Sequence, residues 1–147
     1  MNKYIDFDLS TENWDLGWGK ILDKPQKDRQ KLIDINRVKF SRSIKLCSDC
    51  TRSEVYMIWG NLYQSIHEYP QSLIRLRKAL AIKPDSVMAI EALGSCLNAL
   101  NKHDEALMCF KKALQLASYS PGAHQGILQT LQHLNKFEDY ESIYEEF

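Results

Sequence analysis

An all-α fold of stacked helix hairpins is predicted by three observations. First, the stretches "LNKHDEA" (100–106) and "LNKFEDY" (134–140) open with the same tripeptide, 34 positions apart. Self-similarity at such a period marks a repeat architecture. Second, apolar residues recur at helical steps of three and four. Val55, Trp59, Leu62 and Ile66 do so, as do Leu73, Leu76 and Leu80, then Ile90, Leu93, Leu97 and Leu100, then Leu107, Phe110 and Leu114. Third, breakers separate these runs at short intervals, at Pro70, at "KPDS" (83–86) and at "SYSPG" (118–122).

The elements follow in chain order. In "ENWDLGWGKIL" (12–22), Ser10 or Thr11 offers a cap for a short helix carrying Trp14 and Trp18. The two tryptophans either anchor this segment to its own domain or serve as anchors for a partner. A long helix is expected from Gln26 to about Cys47, with Leu32, Ile33, Ile35, Val38, Phe40 and Ile44 at its apolar positions. Lys27, Arg29, Lys31, Arg37, Lys39, Arg42 and Lys45 are interleaved with them. That basic face is either solvated or docks an acidic partner or nucleic acid. Nothing in it reads bases, so nucleic acid is the weaker expectation.

Residues 53–147 then divide into helix pairs of about 53–86, 87–120 and 121–147, after an extension over 1–52. Each pair has the length of an αα-hairpin with a short polar turn. Pro70 suits the first turn of a helix running to about Ile82. Pro84 cannot continue that helix, and Asp85 or Ser86 is available to cap the next. Asp104 is placed to cap the helix after the first "LNK".

Composition bounds the function. In 147 residues, 44% apolar and 26% charged is a balance that supports a packed core rather than disorder. The formal charge is zero, so no global field draws the chain to nucleic acid or an anionic membrane. Charge is local instead: residues 1–23 are acidic, 24–52 strongly basic and 53–147 mildly acidic. No apolar run approaches the ~18 residues that span a bilayer, and the start lacks the pattern of a signal peptide. A soluble, cytoplasmic protein without membrane partners is therefore expected. Cys47, Cys50, Cys96 and Cys109 fit reduced thiols better than a disulfide framework.

The repeating positions resemble the tetratricopeptide repeat. Tyr56, Trp59-Gly60, Tyr63, Ser72, Leu76, Ala79 and Pro84 carry the likeness in the first pair. Ile90, Leu93-Gly94, Leu97, Ala106, Phe110 and Ala113 carry it in the second, where Ser118 replaces the proline. The third pair keeps less of it, with His124, Ile127-Leu128, Leu131, Tyr140, Tyr144 and Phe147. The resemblance implies a superhelical array in which the glycine of each first helix faces the small residue of the second, Gly60 on Ser72 and Gly94 on Ala106. Leu128 and Tyr140 hold those places in the third pair, so that pair is expected to be splayed or shifted.

In that family the first helices line a concave groove that binds peptides or helices. By position this gives Met57, Asn61 and Gln64, then Met88, Glu91, Ser95 and Asn98, then Gln125, Gln129 and Gln132. Amides donate and accept together, which suits an extended backbone, and methionines add adaptable apolar contact. The heat-shock chaperone cofactors of the family clamp a C-terminal carboxylate with Lys, Arg and Asn. The matching positions here are Met57, Asn61, Ala92, Gly122 and Gly126, of which only Asn61 fits, so that use is not expected. Chaperones of type III secretion translocators are similar in layout, and "ALGSCLNAL" (92–100) resembles them. On the final helix, Phe137, Tyr140, Tyr144 and Phe147 form an aromatic stripe at steps of three and four. It either packs on its own repeat or offers an edge for a second copy, a partner or a continuation of the array.

Catalysis and cofactors find no footing. Cys47-Ser-Asp-Cys50 supplies two ligands where tetrahedral zinc takes four, and no second pair follows. It also lacks the strand-to-helix setting of a redox pair. His67, His103, His124 and His133 are scattered, and no nucleophile triad or phosphate loop is present. The expectation is a non-enzymatic adaptor for another protein.

Overall fold

The structure is a computed structural model and describes residues 26–46 and 48–145. Trp14, Trp18, the helix expected over 12–22, Cys47, the side chain of Cys50 and Phe147 lie outside the described residues. Seven helices occur among the residues described. They are α1 (Gln26–Leu46), α2 (Asp49–Ser65), α3 (Tyr69–Ile82), α4 (Val87–Ala99), α5 (His103–Leu116), α6 (Pro121–Leu134) and α7 (Asp139–Glu145). The chain divides into two compact units, Met1–Ser41 and Arg42–Phe147. In the first, Phe40 is buried while Arg37, Val38 and Lys39 are exposed.

The second unit is a stack of hairpins, α2/α3, α4/α5 and α6/α7, and it begins with the last residues of α1. Arg52 donates from Nε to the Ile44 carbonyl at 3.1 Å, joining that end to α2. α2 starts at Asp49, four residues before the first expected pair. Pro70 stands in the first turn of α3 and Pro121 in that of α6, where a missing N–H costs no helical bond. Ser86 precedes α4 without a side-chain cap bond. Asp104 is not the cap of α5: Lys102 occupies that position, and Asp104 lies in the first turn, where its charge suits the helix dipole.

Burial repeats with the 34-residue period. Val55, Ala89 and Ala123 are buried, as are Leu62, Cys96 and Thr130, and Tyr63, Leu97 and Leu131. Ile90, Leu97, Phe110, Leu114, Ile127 and Leu131 form one core shared by the second and third hairpins, and Leu73 and Leu80 of α3 pack onto it. Each hairpin therefore buries its apolar face on its neighbour rather than on itself alone.

The turns repeat as well. His67, Asn101 and Asn135 take left-handed backbone, at φ of 63°, 60° and 53°, and they are spaced by the same 34 residues. After each, the next amide reaches back into the helix: Glu68 to the Tyr63 carbonyl, Lys102 to Leu97, and Lys136 to Leu131, at 2.8, 2.9 and 3.0 Å. The left-handed residue itself bonds the carbonyl three before it, on Gln64, Asn98 and Gln132. This is the Schellman arrangement, which satisfies carbonyls that a helix end leaves open. The two "LNK" echoes are two of these three stops.

The glycines of the first helices lie against the second helices, with a large side chain nearest to each. A β-carbon on Gly60 would fall 2.7 Å from Leu76 Cγ, and one on Gly94 would fall 2.7 Å from Phe110 Cζ. The large side chain one turn beyond Ser72 or Ala106 lies nearest the glycine, and the Ser72 backbone oxygen is 3.4 Å from the β-carbon position of Gly60, as expected. The missing side chain thus makes room for an apolar side chain as much as for a helix backbone.

The third hairpin is closed differently. Its turn runs two residues longer, through Phe137 and Glu138, before α7 begins at Asp139. Phe137 consequently precedes the helix and is 55% exposed, so the expected four-residue stripe does not lie on one helix. Ile143 is the α7 side chain that enters the core, flanked by half-buried Tyr140 and Tyr144. Leu128, at the position where Gly60 and Gly94 are buried, is 40% exposed.

Candidate partner-binding groove

The first helices of the three hairpins, α2, α4 and α6, enclose an open concavity of ≈ 340 Å³. It is lined by Asn61 from α2, by Met88, Glu91, Ala92 and Ser95 from α4, and by Gly122, Gln125, Gly126 and Gln129 from α6. These positions are repeat columns. Asn61, Ser95 and Gln129 are equivalent at the 34-residue period, and so are Glu91 with Gln125, Met88 with Gly122, and Ala92 with Gly126. One helical face, presented three times, makes the lining.

Six of the ten groove positions read from the sequence come together here: Asn61, Met88, Glu91, Ser95, Gln125 and Gln129. The other four lie elsewhere. Met57 is half-buried and Gln132 is exposed, both outside the concavity. Gln64 donates from Nε2 to the Ala92 carbonyl at 2.8 Å, tying α2 to α4. Asn98 donates from Nδ2 to Thr130 Oγ1 at 2.8 Å, tying α4 to α6. Its Oδ1 then accepts from His103 Nδ1 at 3.1 Å, and the His103 ring stacks on His133 with centroids 4.9 Å apart. Thr130 in turn donates to the Gly126 carbonyl at 2.7 Å, so this buried hydroxyl is fully used.

Ala92, Gly122 and Gly126 complete the lining. In the comparison with a carboxylate clamp, Ala92 stands where that clamp has Asn, and Gly122 and Gly126 where it has Lys and Arg. The repeat columns they share with Met88 and Ile58 were the available signal.

Glu91 is the only charged residue of the lining. The Ser120 hydroxyl donates to its Oε1. Its Oε2 lies 2.8 Å from where a β-carbon on Gly122 would stand. Glycine at 122 therefore leaves the place that the carboxylate occupies, just beyond the start of α6, where the helix dipole favours negative charge. No Lys or Arg pairs with Glu91 among the described residues.

Other described side chains join helices and repeats. Arg75 lies over the Trp59 ring at 4.1 Å and over Tyr63 at 5.8 Å, a cation on a stacked aromatic row that Tyr56 extends. Ser53 donates to the Ala79 carbonyl at 2.9 Å inside the first hairpin. His124 Nδ1 and the Tyr144 hydroxyl are 2.8 Å apart, fixing α7 to α6. No set of three or more metal-ligating side chains gathers among the described residues, and no helix among them is long and apolar enough to cross a membrane.

No protein-family model matches the chain, and no curated protein matches it by sequence. Solved structures match it in shape. The crystal structure of MamA superposes with a TM-score of 0.63 at 20% identity, over 72% of this chain and 61% of MamA. The MamA MSR-1 structure gives 0.62 at 23% identity, over 80% of this chain and 66% of its own. The first tetratricopeptide domain of Spaghetti (RPAP3), bound to the HSP90 peptide SRMEEVD, gives 0.63 at 17% identity, over 73% and 83%. The chain thus spans less than two thirds of either of these two MamA chains. With the Schellman stops, the buried columns and the stacked hairpins all at one period, these likenesses establish that the chain folds as an array of tetratricopeptide-type helix hairpins.

Proposed function

We propose that the chain is a non-enzymatic protein-interaction module that holds an extended segment of a partner protein in the concavity of α2, α4 and α6. One observation carries this reading. Asn61, Ser95, Gln125 and Gln129 are exposed and line one concavity, while the neighbouring amides Gln64 and Asn98 are tied up between helices. Free amides and hydroxyls can bond a peptide backbone in both senses, as donor and acceptor. The likeness to a tetratricopeptide domain bound to a peptide supports the same use of the face. The lining contains no Lys or Arg, so the segment is not held by a clamped C-terminal carboxylate.

The test is site-directed photocrosslinking in the source cells. A photoreactive residue at Ser95 or Gln129 should trap one defined partner, while one at the outward-facing Lys112 should not. The triple variant Asn61→Ala, Gln125→Ala, Gln129→Ala should lose that partner with its helical circular dichroism intact. Equal trapping from Ser95 and Lys112 overturns the reading.

A further inference from the structure

We infer that the segment bound in this concavity carries a cationic side chain, Lys or Arg, directed at the Glu91 carboxylate. The inference rests on the groove reading above and gives the site its charge preference. Glu91 is the single charge of the lining, half-buried, and paired with no cation among the described residues. A ligand that supplies a cation to such a carboxylate gains a charge-assisted hydrogen bond.

The carboxylate is also held in position. The Ser120 hydroxyl takes Oε1, and the absent side chain of Gly122 leaves Oε2 its place beside the start of α6. A group fixed before binding loses little freedom on binding. Around it, the amide oxygens of Gln125 and Asn61 can accept the further N–H donors that an ammonium or guanidinium brings. Met88, 67% exposed at the rim, offers a flexible apolar cover for the aliphatic stem. A glutamate or terminal carboxylate at the same place would meet Glu91 as a like charge. The preference is therefore the inverse of a carboxylate clamp.

The experiment measures fluorescence anisotropy of the intact chain with four pools of short capped peptides. The pools share uncharged degenerate flanks and differ at one fixed central residue: Arg, Lys, norleucine or Glu. The Arg and Lys pools should bind about tenfold tighter than the norleucine pool, with the Glu pool weakest. Glu91→Gln, which keeps an acceptor for Ser120, should remove that preference. Glu91→Lys, verified as folded by circular dichroism, should turn the preference toward the Glu pool. If the pools bind equally, or Glu91→Gln leaves the preference intact, while Asn61→Ala and Gln129→Ala still weaken every pool, the inference fails and the groove reading stands. If no pool binds, or binding ignores Asn61→Ala and Gln129→Ala, the groove reading fails and takes the inference with it.

Discussion

The Phe110 ring occupies the space a β-carbon would need at Gly126, and its Cε1 and Cζ also lie where a β-carbon on Gly94 would stand. Phe110 is 1% exposed, so it has no open direction in which to yield. Gly126→Ala should therefore destabilise the chain. Overpacking of this kind costs about 1–3 kcal/mol, against a helix-propensity gain of at most about 1 kcal/mol. A net loss of about 1–2 kcal/mol in urea unfolding is expected. Pairing Gly126→Ala with Phe110→Leu should cost less than the sum of the two single changes, by about 1 kcal/mol, because the shorter side chain returns the space. Strict additivity would show that the ring and the glycine are not coupled.

Polar residues of the first helices should separate into two kinds when stability and binding are measured together. Asn98→Ala removes the bond that joins α4 to α6 through Thr130, and should cost about 1–2 kcal/mol of stability. Gln64→Ala breaks the analogous tie to the Ala92 carbonyl and should cost about 1 kcal/mol. Gln125→Ala and Gln129→Ala, both exposed, should stay within about 0.5 kcal/mol of the parent while weakening partner binding. A thermal scan of the four variants is sufficient; a large loss for Gln125→Ala would place that amide in the framework instead.

This division marks how far the sequence is legible. Periodicity identifies which face of α2, α4 and α6 is shared, so Asn61, Ser95 and Gln129 fall together as one column. It does not say what lies across from that face. Gln64 and Asn98 have the same spacing and chemistry as pocket residues, but a neighbouring carbonyl or hydroxyl falls within their reach and takes them up. Gly60 likewise reads as a close approach to Ser72, which the Ser72 oxygen at 3.4 Å bears out, but the Leu76 side chain lying nearer still is not legible. At the third hairpin, two extra turn residues shift α7, exposing Phe137 and burying Ile143. A turn length set by tertiary packing is not written in helical periodicity.

The left-handed stops make a further prediction. An L-residue other than Gly pays for this backbone, and Asn bears it better than branched side chains do. Asn101→Val should cost about 1–2 kcal/mol, while Asn101→Gly should remain within about 0.5 kcal/mol of the parent. His67 holds the equivalent position with an exposed ring beside Tyr69, so His67→Gly should be neutral or stabilising. Chemical denaturation of the three variants checks the order. A tolerated valine at 101 would mean that the turn relaxes to another conformation.

Alkaline pH should loosen the array in two stages. Burial pushes the Cys96 and Cys109 thiols above their ordinary value of 9.0, helped at Cys109 by the Glu105 carboxylate. Burial, then the hydrogen bond and charge of Tyr140, pushes the Tyr144 phenol above 10.0. In each case the folded chain holds the proton more tightly than the unfolded chain does. The stabilisation is therefore complete below the unfolded value and is lost as pH rises through the folded one. Urea midpoints should hold steady up to about pH 8 and fall beyond about pH 9 as the unfolded thiols ionise, then fall again beyond about pH 10. Cys96→Ala with Cys109→Ala should flatten the first stage and leave the second; Tyr144→Phe should do the reverse. At neutral pH the same burial should make Cys96 react with iodoacetamide on the order of a thousandfold more slowly than in denaturant, since the thiolate forms only when the helices part. Rapid labelling of Cys96 in the folded chain would show that α4 opens without unfolding its hairpin.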